Sequence, residues 1–433
     1  MLNDKAKSTM EIDEMLFELE ELDLVESAKI EKQLIKNLKN VKIGRAEMKV
    51  LIDTFYQTQA NRIACQNQIR AINQGADDGN SDTVQILLWD LHNKMSQEKE
   101  LFKVLDAVTE QHPVGRWLKQ IKGVGPTIAA GVLAYFDIKS ANYASNFISY
   151  AGLNDNNRPW LGREKAKKIV DEVLGSDEYI TDEHLIRISA KSGWKVASLD
   201  EACTVFDEEG LKEYYIDTKK FNVEVCKFLG ISAKELKDVV GSTRTITKAK
   251  AEEIGNHFNQ KEEVDYIFKS CSVTDEHGRL VPKRSKDKLI GQVAKIPYNK
   301  DLKVLLFKAS ECFVKVSGKD DSLYGKLFRQ FKAEEIKKNE AGMFKEQAAA
   351  ILASKNIGKN TDAYKAYSEG FLPDAHINAR AKRKVQKIFV SHIFEAMWWS
   401  EYGTQPPVPY AFGELGHNDY IGPEIPFPVK EQK

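Results

Sequence analysis

The sequence predicts a mainly α-helical protein made of several units. Apolar residues recur at helical intervals through most of the chain, strand-like alternation is scarce, and a Gly123-Val124-Gly125-Pro126 turn separates two helical patterns. At 433 residues the chain exceeds one ordinary core, which stops growing at roughly 250–300 residues. The expected architecture is an N-terminal helical hairpin or coiled-coil arm (1–110), a helix-hairpin-helix core (111–153), an inserted helical subdomain (154–284), a C-terminal helical domain (285–403) and a Pro-rich extended tail (404–433).

From Ile12 to about Leu38, the apolar residues Ile12, Met15, Leu16, Leu19 and Leu22 share one helix face and carboxylates the other, which predicts an acidic amphipathic helix. A second helix is expected from about Arg45 to Ile72 on the stripe Met48, Ile52, Phe55 and Tyr56. The turn sequence QGADDGNSD follows, and a third helix carrying Leu87, Leu91, Leu101, Leu105 and Val108 runs to the break at His112-Pro113. The pair forms an antiparallel hairpin or a coiled-coil arm, and offers a route to a homo-oligomer.

Val114 to Leu153 reads as helix, tight hairpin, helix and a short further helix. The stretch up to about Arg284 holds several short helical patterns, two of them opened by Asp182 and Ser232 as caps. Asn299 to Val316 is a strongly apolar helix expected at the buried centre of the C-terminal half. A charged helix from Leu323 to about Asn339, another from Phe344 to Ser354, and a long one entered through Pro373-Asp374 and left through Gly403 complete the set. The final Pro-, Gly- and aromatic-rich stretch reads as a tail laid on a surface or left mobile.

Hydrophobic content of 42% with 30% charged residues excludes a largely disordered chain. No run approaches the roughly 18 apolar residues of a membrane helix, and the start lacks the apolar core of a signal peptide, so a cytoplasmic protein is expected. Cys65, Cys203, Cys226, Cys271 and Cys312 are odd in number and far apart, without metal-ligand spacing; they read as reduced. No metal site or cofactor is indicated, and Mg2+ enters only if the chain is catalytic. A formal net charge of zero conceals an acidic head and a basic tail half. Glu11 to Glu26 carry no Lys or Arg, whereas Lys283 to Lys387 hold roughly twice as many basic as acidic side chains.

The hairpin carries the strongest chemical signal. Gly123 and Gly125 permit backbone angles and approaches that side chains forbid, and Pro126 suits the first turn of a helix. Amides near that helix start, aided by the helix dipole, then face a phosphate, with Lys119 or Lys122 supplying positive charge. The expected nucleic-acid contacts here are Lys119, Lys122, Gly123, Val124, Gly125 and Thr127, and they read backbone rather than base sequence. The competing reading is a tight turn between packed helices. On the helix from His376 to Trp399, Arg380, Arg383, Lys384 and Lys387 follow one face, which makes either a phosphate rail or a solvated surface. His376 and His392 read as capping or core residues, and Trp398, Trp399 and Tyr402 as core or interface.

The block from Ile121 to Leu153, with GVGPTIAA, Phe147 and the ending SYAGL, resembles the C-terminal domain of insertion-sequence transposases, the bridge-RNA-guided family that pairs a DEDD domain with a serine-bearing helical domain. NKDLKVLLFKASECF and ARAKRKVQKIF resemble later helices of the same domain. The resemblance covers roughly a third of the chain in three blocks, of which the hairpin is distinctive. It implies a DNA-binding protein of a phage or mobile element acting in transposition or DNA recombination. Two departures stand beside it. Residues 1–110 lack the alternating strands and four acidic ligands of the family's catalytic half, and an insertion separates SYAGL from the loop where the family serine lies. Ser285 stands at about that place, with Arg284, Lys286 and Lys288 nearby, and the resemblance makes it the candidate catalytic nucleophile.

Two classes of function therefore compete: a transposase-related protein that binds DNA (duplex or branched) or structured RNA, and a non-catalytic architectural or interaction scaffold. A helix-hairpin-helix glycosylase is excluded by spacing, because Thr127 and Ser145 stand where its Lys and Asp belong.

Overall fold

The computed structural model describes residues 32–38, 43–75, 82–154, 160–206, 210–409 and 420–427. It is mainly α-helical and divides into two compact units, residues 1–154 with 298–433, and residues 155–297. The acidic helix expected from Ile12 lies mostly outside the described residues; its end, α1 (Lys32–Leu38), is helical.

In the first unit, α2 (Arg45–Gly75) and α3 (Asp82–Gln111) form the expected antiparallel hairpin. Arg62 pairs with Glu98, and the Cys65 thiol donates to the Leu87 carbonyl at 3.2 Å. Cys65, Ile69, Val84, Leu88 and Leu91 make a small core of their own, while Met48, Ile52, Phe55, Val104, Leu105 and Val108 join the main core. The arm is thus anchored at one end by burial rather than standing free. Next come α4 (Pro113–Gln120), α5 (Pro126–Tyr135), a single 3-10 turn at Ile138–Ser140 and α6 (Ala144–Tyr150). Helix α5 is apolar because it is enclosed, with every residue from Ile128 to Tyr135 buried. Its Gly131 has no room for a side chain, since a Cβ there would sit 2.5 Å from Leu305.

The second unit holds α7 (Gly162–Leu174), α8 (Asp182–Ser192), α9 (Val196–Cys203), α10 (Thr218–Leu229), α11 (Ala233–Val240), α12 (Lys248–His257), α13 (Lys261–Cys271) and α14 (Lys286–Ala294). One core gathers α7, α8, α9 and α14 around Val170, Leu185, Leu199 and Leu289; a second gathers α10 to α13 around Phe221 and Phe268. Antiparallel bridges link the segments between them, among them Thr204 with Arg284, Tyr214 with Pro282 and Ile216 with Ser272. The sequence reading of an all-helical insertion missed this ribbon. It also ended the insertion at Arg284, whereas the unit continues to Pro297 and takes in α14. Ser232 caps α11 in a reciprocal box with Glu235, as expected, but α8 is capped by Thr181, one residue before Asp182.

The first unit resumes beside the point where it broke off. The Asn299 N–H donates to the Tyr150 carbonyl at 2.8 Å, and Tyr298 covers Gly152, where a Cβ would lie 2.6 Å from the ring. Then follow α15 (Lys300–Lys315), α16 (Leu323–Glu340), α17 (Lys345–Ser354), α18 (Asp362–Ser368), which the sequence reading did not anticipate, and α19 (Asp374–Tyr402). Leu302, Leu305, Leu306, Ala309 and Phe313 bury one face of α15, but Val304 and Phe307 are exposed, so the helix lines the core rather than filling its centre. Phe313 stacks on Tyr324 at 4.7 Å with Phe389 edge-on to both, and Phe147 stacks on Phe136 at 4.2 Å.

The described tail residues 420–427 lie on this unit. Trp117 Nε1 donates to the Ile425 carbonyl at 2.7 Å, and Leu323 N–H to Glu424 at 3.1 Å. His392 is buried, with Nε2 at 2.7 Å from the Ile421 carbonyl and Nδ1 at 2.8 Å from the Tyr324 hydroxyl. A carbonyl only accepts, so Nε2 carries the proton and Nδ1 accepts from Tyr324.

Candidate nucleic-acid interface

Of the two hairpin glycines, Gly123 needs the conformational freedom that the sequence assigned to both, and Gly125 does not. Gly123 adopts φ +90°, a region costly for side chains, and a Cβ there would reach the Cys312 backbone and the Phe313 ring at 3.4 Å. Gly125 has φ −98° and ψ 179°, ordinary extended backbone, and a Cβ there would meet nothing within 4 Å. As N-cap of α5 it offers no side-chain hydrogen bond, and the first helical bond is made by Ala129 N–H to the Gly125 carbonyl at 3.0 Å. The Thr127 and Ile128 amides precede that bond. The preceding helix differs: the His112 ring caps α4 by accepting from Val114 N–H at 3.2 Å. Val124 is buried in the core and its N–H closes the turn on the Ile121 carbonyl, while Thr127 is half-buried.

The hairpin lysines are both engaged. Lys119 contacts Asp106 and Glu110, each at 2.6 Å, and Lys122 pairs with Asp321. Burial works against the charge on Lys119, but those two carboxylates outweigh it and raise its pKa. On α19, Arg380 pairs with Glu335 and lies over the Phe344 ring at 4.4 Å, and Lys384 reaches Glu335 at 2.7 Å. Glu335 is fully buried; burial disfavours its charge, yet the two cations win and hold its pKa below the ordinary value. Arg383 is exposed, and Lys387 is half-buried without an ion pair among the described residues. The four cations of the expected rail are therefore not equivalent: Arg380 and Lys384 turn to α16, while Arg383 is exposed and Lys387 half-buried.

Ser285 is the N-cap of α14. Its Oγ accepts from Lys288 N–H at 3.4 Å and its own N–H donates to the Cys203 carbonyl at 2.8 Å. Arg284 is buried and committed to Asp200 at 2.7 Å, Asp182 at 2.5 Å and the Ile180 carbonyl at 2.8 Å, and Lys286 pairs with Asp171 at 2.8 Å. Two of the three cations that sequence placed around a nucleophile, Arg284 and Lys286, here pair with carboxylates of the second unit. All five cysteines are unpaired, and no three His, Cys, Asp or Glu among the described residues are placed to hold a metal. No described helix is long and apolar enough to cross a membrane.

No protein-family model, curated protein or solved structure was found to match the chain. The geometry therefore bears the functional argument.

Sequence reasoning missed a groove of about 480 Å3 between α2 and α15, floored by Tyr135. In it the Lys308 ammonium sits 3.7 Å above the Tyr56 ring and donates to Gln59 Oε1 at 3.3 Å. Burial lowers the Lys308 pKa, with the charge of Glu98 opposing, and burial pushes Tyr56 up to about 12. The Tyr135 hydroxyl donates to Asp53 at 3.0 Å, and Asp53 also pairs with Lys49 at 2.7 Å. A lysine inside an apolar helical pattern was the one local hint, and nothing in sequence spacing ties Lys308 to Tyr56 and Gln59.

Proposed function

We propose that this protein binds nucleic acid, DNA or structured RNA, through the backbone of the hairpin at 123–127, as a transposase-related protein of a phage or mobile element acting in DNA recombination or processing. The observation that carries the reading is Gly125. The fold does not require a glycine there, because its angles suit any residue and its Cβ direction is empty. A bare N-cap leaves the Thr127 and Ile128 amides without a side-chain cap at the positive end of α5, where an anionic oxygen can accept from the half-buried Thr127. Contacts of that kind hold phosphates without regard to base sequence.

The engagement of Lys119 and Lys122 with carboxylates favours a second reading, an interaction scaffold whose hairpin is a packed turn. Gly125→Asp separates the two. An Asp N-cap suits the helix, so the variant folds, but its carboxylate occupies the place of a phosphate oxygen. Under the binding reading, affinity for labelled DNA and RNA at low salt falls at least tenfold. Unchanged affinity, or no salt-sensitive binding by the wild-type protein, leaves the scaffold. The reading is one of binding and gives Ser285 no chemical step.

A further inference from the structure

We infer that Lys308 is a phosphate-binding residue, and that a single strand of nucleic acid held at the hairpin continues through the groove between α2 and α15 with a backbone phosphate on this ammonium. The inference rests on the binding reading above and extends it to the kind of strand bound and to a second contact.

Lys308 differs from most of the half-buried cations of this unit in its company. Lys119, Lys382 and Lys384 each touch a carboxylate, whereas Lys308, like Lys387, has no ion pair among the described residues. Its direct partners are neutral, an amide oxygen and a ring face, and the Glu98 carboxylate that acts on it from behind Gln59 is itself paired with Arg62. They are also fixed: the Gln59 amide group donates to Glu98 Oε1 at 2.9 Å, which turns the Gln59 carbonyl toward Lys308. An ammonium has three donors; one is used by Gln59 and its charge rests partly on the Tyr56 ring, so capacity remains for an oxyanion. A half-buried cation compensated by neutral groups gains more from an incoming phosphate than one already paired.

Position supports the assignment. Cys312 lies one helical turn, about 6 Å along the axis, from Lys308, and its backbone is what Gly123 packs against. The hairpin and Lys308 are thus successive features along α15. Beside Lys308, Val304 and Phe307 are 49% and 51% exposed on the same helix and offer apolar faces to unstacked bases. The acidic end of the groove holds Asp53, which is paired with Lys49 and Tyr135, and Asp301, which stands seven residues, about 10 Å along α15, from Lys308.

The test uses the full chain, with Lys308→Met, Lys308→Arg and Gly125→Asp, each checked for an unchanged circular dichroism spectrum. Fluorescence anisotropy with oligo(dT) and oligo(U) is measured over a salt series, and inorganic pyrophosphate is titrated by calorimetry. The expected result is that Lys308→Met weakens both oligonucleotides about fivefold at low salt and reduces the log–log salt slope by about 0.7, the contribution of one phosphate contact on a single strand. Lys308→Arg restores the slope, and pyrophosphate heat is lost in Lys308→Met. If Gly125→Asp abolishes strand binding while Lys308→Met matches the wild type, the Lys308 inference is overturned and the hairpin reading stands. If pyrophosphate binds through Lys308 but no strand binds, the hairpin reading falls and the strand assignment with it. Tighter binding of duplex than of either single strand also overturns the inference.

Discussion

The Lys384 ammonium lies 2.7 Å from the fully buried carboxylate of Glu335, one helix away on α16. Arg380, one turn earlier on α19, grips the same carboxylate. A rail of cations read from helical spacing is thereby half converted into a clamp between α16 and α19. Glu335→Gln keeps the shape and removes the charge. Both cations retain about a third of their exposure and can turn to water, so the expected loss is about 1–3 kcal/mol, below that of a fully buried broken pair. Chemical denaturation measures it. If α19 also contacts nucleic acid, the freed Arg380 and Lys384 raise low-salt affinity in the same variant.

The two hairpin glycines are expected to separate stability from binding. Gly123→Ala places a Cβ in a left-handed conformation against the Cys312 backbone and is expected to cost about 1–2 kcal/mol. Gly125→Ala meets open space and is expected to change stability by less than about 0.5 kcal/mol. Equal losses in thermal unfolding would show that Gly125 is also held by the fold.

Ser285→Ala tests a structural role. Loss of the N-cap of α14 is expected to cost about 1 kcal/mol. Any strand-cleaving activity the protein has is expected to survive the substitution, and its abolition in a folded variant would restore Ser285 as a nucleophile.

What sequence could reveal followed the range of the interactions involved. The arm, the hairpin and α19 were legible because periodic apolar residues, Gly-Val-Gly-Pro, Pro373 and Gly403 act within a few positions of one another. The bridges joining 204–216 to 272–284 escaped because they pair single residues across distant segments; the alternation in LKEYYID and the turn at Gly278 were their faint local trace. The fates of Arg380, Lys384 and Arg284 escaped for the same reason. A basic side chain at a helical position reads alike whether it faces solvent or a buried carboxylate supplied from elsewhere. Exposure of Val304 and Phe307 was hidden too, since α15 carries apolar residues on more than one face.

His392 links the tail to the core and should make stability depend on pH. Burial lowers its pKa from 6.5 to about 4, with the hydrogen bond to the Ile421 carbonyl opposing. In the unfolded chain it titrates near its ordinary value, so below about pH 6.5 the unfolded state takes up a proton that the folded state refuses. Stability attributable to this residue is therefore intact above pH 6.5 and declines as pH falls toward 4, by about 3 kcal/mol in all at roughly 1.4 kcal/mol per pH unit. Tyr324 and the tail around Ile421 face the ring, and Glu395, which hydrogen-bonds Tyr420 at 2.8 Å, titrates in its neighbourhood, so the useful quantity is a difference. Denaturation of the wild type and of His392→Gln at half-unit steps from pH 7.5 to 4 is expected to show curves that converge as the pH falls. Parallel curves would mean that the tail lifts and lets His392 take its proton in water, in which case removing residues 410–433 should cost little, rather than the few kcal/mol expected from stranding the His392 and Trp117 donors.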